Sequence, residues 1–509
     1  MKMLVGLTEY GAARRVPGSK AILYIAGERG RYERHLFDCG VDYAEDDKAA
    51  TKATFPFSAK SIDSFVNTHG HTDHMGKLLE LYLAGFRGPI HATATTIAIL
   101  KGQLKQQVQG EYWDTKEYNA AIKGKRGRDG KFLPFRKPRF KTEQVKELLS
   151  LVEGSDGPDE LGHDYGKQVR VSDHLTITFY EAGHIPGSSQ ILCDIVDAQG
   201  RPTRMLTCFD LGRTDYRISG HPIFDTPLVR FPHTDFPDPD TIDTIVVEST
   251  YGAKEHEPLE DAIETLVDCF HRAHQQKGKL IIPAFSIMRT QMLLTIIYRL
   301  KNEGRLPEMP IYFSSPSGEE INKVILRHLV DCDETAKAEF KDPNNNPFKF
   351  PGLTYVRKSD ADKALYEENG PFALIGSSGM GNMGRIVAHL KHAAPGKRHV
   401  VMYAGFQALG TPGYQMLNHE PRIRFPDGDV VELKAYVAKM GGLSGHADGP
   451  ENVAHVTHIR PPGPNSFKRI LIKHGESASC DALRDLIIKT GYEPSTVIVM
   501  EKRQEYSLP

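Results

Sequence analysis

The sequence predicts an α/β protein made of two domains. Short apolar, β-branched runs alternate with segments of helical periodicity, and each run closes on a polar or glycine turn. At 509 residues the chain is longer than one hydrophobic core usually serves. From residue 261 onward the alternation becomes regular, in the strand-helix-strand rhythm of a parallel sheet.

In chain order, the strand-like runs of the first half are AILYIAG (21–27), HLFDCG (35–40), SFVNTHG (64–70), LTITFYEAG (175–183), RMLTCFD (204–210) and TIVVEST (244–250). A helix is expected over residues 75–84, apolar at Leu78, Leu79, Leu81 and Leu83. The second half repeats helix 261–274, KLIIPAF (279–285), helix 290–300 and PIYFSS (310–315), then FALIGSSGM (372–380) and HVVMYAGF (399–406). RILIKHGE (469–476) and STVIVMEK (495–502) end the chain. Pro- and Asp-rich residues 222–240 read as an extended connection, with His221 and His233 as ordinary loop histidines. No internal repeat is visible.

Composition removes the unusual classes. Hydrophobic residues make up 39% and charged residues 25%, as in ordinary globular chains. Six cysteines lack C-x-x-C spacing, so neither a disulfide framework nor a cysteine zinc site is expected, and a reducing, cytoplasmic setting fits. No apolar stretch approaches the ~18 residues of a membrane span, and the N-terminus lacks the apolar core of a signal peptide. A formal net charge of −1 gives no global pull on nucleic acid, so any binding field must be local. Residues 123–141 supply one: nine Lys or Arg against Asp129 alone, interleaved with Phe132, Phe135 and Phe140. Cations for phosphates and flat rings for bases are what a single strand needs, which makes Lys125, Arg126 and Arg128 candidate RNA contacts. A solvated surface loop is the plain alternative.

The densest chemistry is at Thr68-His69-Gly70-His71-Thr72-Asp73-His74, with three imidazoles and one carboxylate in six positions. Imidazole nitrogen and carboxylate oxygen suit zinc and other first-row divalent ions. His69 and His71, two apart on an extended stretch, can face one side, while Asp73 and His74 fall where a helix begins. Two neighbouring ions could share the cluster.

This HxHxDH pattern resembles the metallo-β-lactamase superfamily, and the rest of the pattern follows in order. Asp38 matches the early strand-end aspartate, His184 in EAGHIPGSSQ the third-motif histidine, and Asp210 the bridging carboxylate. The resemblance implies an αββα sandwich in which His69, His71 and His184 hold one ion, Asp73 and His74 a second, and Asp210 lies between them. Further strings are similar to the β-CASP nucleases: VVESTYG with Glu248, PAFSIMRTQ with Ser286 and Arg289, SSGMGNMGR (377–385), GFQALGTPG (405–413), GLSGHAD with His446 and LIKHGE with His474. They imply an α/β β-CASP domain inserted at 253–430, between metallo-β-lactamase segments 1–252 and 431–509.

The resemblance implies a metal-dependent ribonuclease acting on single-stranded RNA, endonucleolytic, with 5′-to-3′ exonucleolytic action left open as a second activity of this chain. It implies two Zn2+, with Mn2+ as the alternative. Asp73, Glu248 and His446 form the implied catalytic set, His446 giving the proton to the departing oxygen and Glu248 holding its ring. His474 completes the second ion's shell and favours RNA, since DNA-acting members generally carry an apolar residue there. ESTYG and AGHIPGS look like the endonuclease subunit of the cleavage and polyadenylation specificity factor and its bacterial and archaeal relatives. A homodimer is compatible with family likeness. Ser378, Arg289 and Arg385 are candidate phosphate contacts, though a tight turn and salt bridges would also explain them, and Asp448 reads either as a support for His446 or as a helix cap. Tyr414, Met288 and Met292 replace residues usual in the family, all in the inserted domain, and no KH-type module is expected ahead of the first motif. The competing readings are a small-molecule hydrolase on the same site, a DNA nuclease and a non-catalytic RNA-binding scaffold.

Overall fold

In the computed structural model the described residues are 4–27, 30–42, 54–126, 131–154, 161–214 and 228–509. Arg128, Asp129 and His221 therefore lie outside them. Two sheets pack face to face. The first runs, in spatial order, Glu505–Ser507, Val5–Glu9, Ala21–Ala26, Tyr32–Phe37, Ser64–Val66 and Ile90–His91. The second runs Val497–Val499, Arg469–Lys473, Thr244–Glu248, Pro202–Cys208, Ser189–Val196, Leu175–Glu181 and Gln168–Arg170.

Alternation along these strands sends one face of each sheet into a shared core of Leu7, Leu23, Phe37, Ile177, Phe179, Phe209 and Leu471. Helices cover the outer faces. Leu78, Leu79, Ile97 and Leu100 seal the first sheet, and Val456, Leu483 and Ile487 seal the second. The result is the expected αββα sandwich.

The chain leaves the second sheet after Thr244–Glu248 and returns to it at Arg469–Lys473, which pairs in parallel with that same strand. Between them lies a third, parallel sheet in the order Leu353–Tyr355, Ile311–Ser314, Phe372–Gly376, Lys279–Pro283, Val400–Tyr403 and Tyr436–Lys439. Leu259–Gln275 and Arg289–Asn302 cover one face of it, and Ile386–Ala393 packs on the other. Tyr436–Lys439, which a division at residue 430 would assign to the returning segment, pairs with Val400–Tyr403.

Two details differ from the sequence expectation. The helix expected at 75–84 is two pieces, Thr72–Met75 and Leu78–Leu83. The first starts early enough to carry Asp73 and His74. A helix of 29 residues, Ala94–Ile122, also runs from beside the histidine motif out to the basic segment. Among the described residues no helix is long and apolar enough to cross a membrane, and all six cysteines are buried and free.

Candidate active site

The site residues sit where strands end, on one edge of the sandwich. Asp38 follows Tyr32–Phe37, His69 follows Ser64–Val66, His184 follows Leu175–Glu181 and Asp210 follows Pro202–Cys208; Glu248 ends its own strand and His474 follows Arg469–Lys473. A strand end frees the backbone to turn while the sheet fixes its origin, which suits groups that must converge. The approach is close. A Cβ on Gly40 would come 1.5 Å from the carbonyl oxygen of Asp73, so only glycine lets the two loops meet.

The expected ligands form two clusters. In one, His69 Nε2 is 3.1 Å and His184 Nε2 is 3.0 Å from His71 Nδ1. Asp210 Oδ2 lies 3.4 Å from both His69 Nε2 and His184 Nε2. In the other, His74 Nε2 is 3.0 Å from His474 Nε2, and Asp73 Oδ2 is 3.9 and 3.7 Å from the same two nitrogens. Asp210 Oδ1 completes it at 3.2 Å from His74 Nε2 and 3.4 Å from His474 Nδ1. One carboxylate thus turns one oxygen to each cluster.

These separations suit a small cation. Ligands on a tetrahedral zinc at ~2.0–2.1 Å stand roughly 3.3 Å from each other. The nitrogens facing away from the centre are occupied. His184 Nδ1 donates to the carbonyl of Gly445 at 2.8 Å, His74 Nδ1 meets Asp38 Oδ2 at 2.7 Å, and His69 Nδ1 lies 3.1 Å from Thr68 Oγ1. Each ring is therefore held with its other nitrogen inward. Asp38 is itself fixed by the backbone N–H of Thr68 and the amide of Asn67.

The electrostatics agree. Burial, reinforced by neighbouring imidazoles, pushes His69 and His184 well below the ordinary histidine range, and burial brings His71 down to about 4, so these three offer lone pairs. His74 goes the other way: burial opposes its charge, yet Asp210, Asp38 and Asp73 together hold it well above that range. Three carboxylates around one imidazole make a place that calls for positive charge.

Beside the clusters, Glu248 is fully buried. Its Oε1 accepts from His446 Nδ1 at 2.8 Å and from the N–H of Leu211 at 2.9 Å, and its Oε2 accepts from the N–H of Thr250 at 3.1 Å. The His446 ring lies 4.4 Å from that of His184. Burial disfavours its charge, but Glu248, with Asp210 and Asp73, outweighs burial and raises it to about 9. The arrangement is an imidazole held by a buried carboxylate at the rim of the two clusters.

One residue near His446, His256, carried no signal in the sequence. His256 donates from Nε2 to the carbonyl of His446 at 2.8 Å, and its ring packs 4.7 Å from that of Tyr251. Tyr251 stood inside the VVESTYG string, but nothing marked His256. Asp448 caps the helix Gly449–Ile459 and accepts from the N–H of His256 at 2.9 Å, in keeping with a cap role.

The candidate phosphate contacts are differently placed. Arg385 spends both terminal nitrogens on the carbonyls of Val356 and Arg357, at 2.8 and 2.9 Å, which makes it a strut within the inserted domain. Ser378 Oγ bonds Asn382 Oδ1 at 2.7 Å and accepts from the N–H of Met383, organising its own turn. Arg289 donates to the carbonyl of Leu443, tying the inserted domain to the GLSGHAD loop. It lines a cleft of about 590 Å³ with Tyr251, His256, Phe406, Tyr414 and Ser444. Met288 has φ 66°, on the left-handed side that glycine takes freely. Lys125 and Arg126 are exposed. His233 stacks on Tyr180 away from the centre.

Comparison with known proteins matches this layout. Residues 290–416 fit the model of the Beta-Casp domain, and residues 430–498 that of the Zn-dependent metallo-hydrolase RNA specificity domain. Ribonuclease TTHA0252 of Thermus thermophilus is 30% identical over 493 residues, covering 96% of this chain and 97% of that protein. Transcription termination factor FttA is 25% identical in Methanocaldococcus jannaschii and 27% identical in Thermococcus kodakarensis, in each case over 95% of this chain and 69% of that protein. The chain belongs to the β-CASP ribonuclease family of the metallo-β-lactamase superfamily, metal-dependent nucleases that act on RNA.

Proposed function

We propose that this chain hydrolyses phosphodiester bonds of single-stranded RNA at a two-zinc centre, with His446 as proton donor to the departing oxygen. One observation carries the reading: the single buried carboxylate of Asp210 faces two ligand clusters with its two oxygens, beside an imidazole fixed by Glu248. His69, His71 and His184 would hold one ion and Asp73, His74 and His474 the other, with Asp210 shared. When bound, two such ions supply Lewis acidity and an activated water at neutral pH. Zinc suits this nitrogen-rich donor set better than manganese, which binds such sites more weakly.

The protein's own groups do the rest. Glu248 stabilises the protonated form of His446, and the bond to Nδ1 leaves Nε2 as the donating atom. His256 and Tyr251 steady the same loop from behind. We place the metal-binding domain at residues 1–252 and 441–509, with 253–440 inserted. Likeness to proteins named transcription termination factors extends the reading to newly made RNA.

Incubating zinc-loaded protein with one RNA labelled at its 5′ or 3′ end, and with DNA of the same sequence, tests the proposal. Internal cleavage of RNA alone, lost in Asp73→Ala and His446→Ala, is expected. Equal cutting of DNA, or activity that survives both substitutions, would refute it.

A further inference from the structure

The outer end of the helix Ala94–Ile122 and the segment folded back on it form a surface that the reaction centre leaves unused. Its described residues, 112–126 and 131–141, hold nine Lys or Arg against Asp114 and Glu117, in a chain of net charge −1. The same stretch exposes more than half of each of Tyr112, Trp113, Phe132 and Phe135. Among the described residues only one other aromatic, Phe406, is so exposed. Large rings gathered in water usually mark a contact surface, and here they stand among cations instead of in an apolar field.

The rings are positioned. Asn119 pairs with the backbone of Arg136 through both ends of its amide, at 2.9 and 2.8 Å, and Glu111 accepts from the N–H of Arg139 at 3.0 Å and its Nε at 3.1 Å. Cations lie over ring faces: Lys116 at 4.5 Å from the Trp113 centroid, Arg126 at 4.2 Å from Phe132 and Arg136 at 3.7 Å from Tyr118. A ring with a cation on one face can take a base on the other, with that cation set for the neighbouring phosphate. Single-stranded nucleic acid repeats this demand at every nucleotide.

The same helix links this surface to the reaction centre. Gln103 donates to the carbonyl of Gly70, and Gln107 donates to that of Gly76 at 2.7 Å, so the helix touches the histidine loop on its inner half. Residues 98–107 then wall a cleft of about 1100 Å³ that Lys323 and Arg327 also line. At ~1.5 Å of rise per residue, Trp113 stands roughly 15 Å beyond Gln103 along the axis.

We infer that this surface is a second binding site for single-stranded RNA, engaging the strand beyond the cleavage site and tightening the grip on long substrates. The inference rests on the ribonuclease reading. A second copy of the chain is the poorer occupant, because a two-fold contact would set one group of cations against its twin.

Trp113 is the chain's only tryptophan and reports directly. The test titrates zinc-loaded His446→Ala protein with labelled oligouridylates of 6 and 30 nucleotides, following anisotropy and tryptophan emission. The 30-mer should quench emission and the 6-mer should not. Combined Trp113→Ala, Phe132→Ala and Phe135→Ala should weaken the 30-mer about tenfold or more and leave the 6-mer unchanged, with circular dichroism confirming the fold. Unquenched emission, or equal 30-mer affinity in the triple variant, would overturn the inference. So would a change in sedimentation with RNA affinity intact, which would mark a self-association face. Cleavage by the wild-type chain, measured alongside, tests the ribonuclease reading separately.

Discussion

The sandwich edge and the outer end of the long helix both gather charge, by opposite means. At the edge, Asp210, His69, His74 and His474 are almost wholly removed from water, and their partners fix each ring and carboxylate. At the helix end, Lys123, Lys125, Arg136 and Lys137 stand in solvent beside exposed rings. Buried charge is strong because little screens it, and it is costly unless something of opposite sign completes it. Exposed charge is cheap, adaptable and weakened by salt. One region is built for chemistry at a fixed point, the other for holding a flexible polyanion.

That contrast can be broken most severely at its buried end. Asp210→Asn removes the carboxylate that both clusters share, so bound zinc should fall and RNA cleavage should drop by about three orders of magnitude or more, as metal analysis and single-turnover rates would record. His446→Ala should keep its zinc and lose roughly 10²- to 10⁴-fold in cleavage rate. Glu248→Gln sharpens the point. The donor works protonated, so activity falls as pH rises through the His446 pKa. Without Glu248 that pKa drops, and the alkaline limb of the rate profile should move down by about one unit or more.

A second buried charge tests the cost directly. Lys473, next to the proposed ligand His474, is fully buried against Glu9 and also donates to Ser19 at 2.9 Å. Lys473→Met should cost about 3–5 kcal/mol in denaturant unfolding by stranding Glu9, and adding Glu9→Leu should recover most of it. A double variant as unstable as the single would refute that account.

Acid should also act on the interior. Burial lowers His91 and His455 to about 3 from an unfolded value of 6.5. Between those values the unfolded chain binds the extra protons, so stability present above pH 6.5 is lost as pH falls through this window. The melting temperature should decline there, less steeply in His455→Gln. The smallest effect belongs to the exposed end. Neutralising Lys125, Lys131 and Lys137 should flatten the salt dependence of long-RNA binding, by about 0.7 in the log-log slope for each phosphate that the variant no longer neutralises.

The sequence disclosed the sandwich edge better than anything else. Histidines at two-residue spacing after an apolar run are rare without a ligand to hold, and the strands before Asp38, His184, Asp210 and His474 end where their apolar runs end. The long helix stayed hidden for a physical reason. It buries Thr95, Thr96, Ile97, Ile99, Leu100 and Leu104, then only Thr115 and Ile122, so no apolar stripe runs its length. Glu9 and Lys473 lie in strands where charge ordinarily reads as a solvent face, and only the fold brings them together. His256 acts through a backbone carbonyl, which leaves no pattern in residue types. Arg385 looked like a phosphate contact because an arginine beside glycines is equally suited to a strut.

Zinc counted per chain in purified protein, beside Asp210→Asn and His474→Ala, tests the central claim most directly. Two ions in the wild type are expected, with His474→Ala keeping the one held by His69, His71 and His184 and losing RNA cleavage. A wild-type chain that cuts RNA with one ion or none would contradict the account.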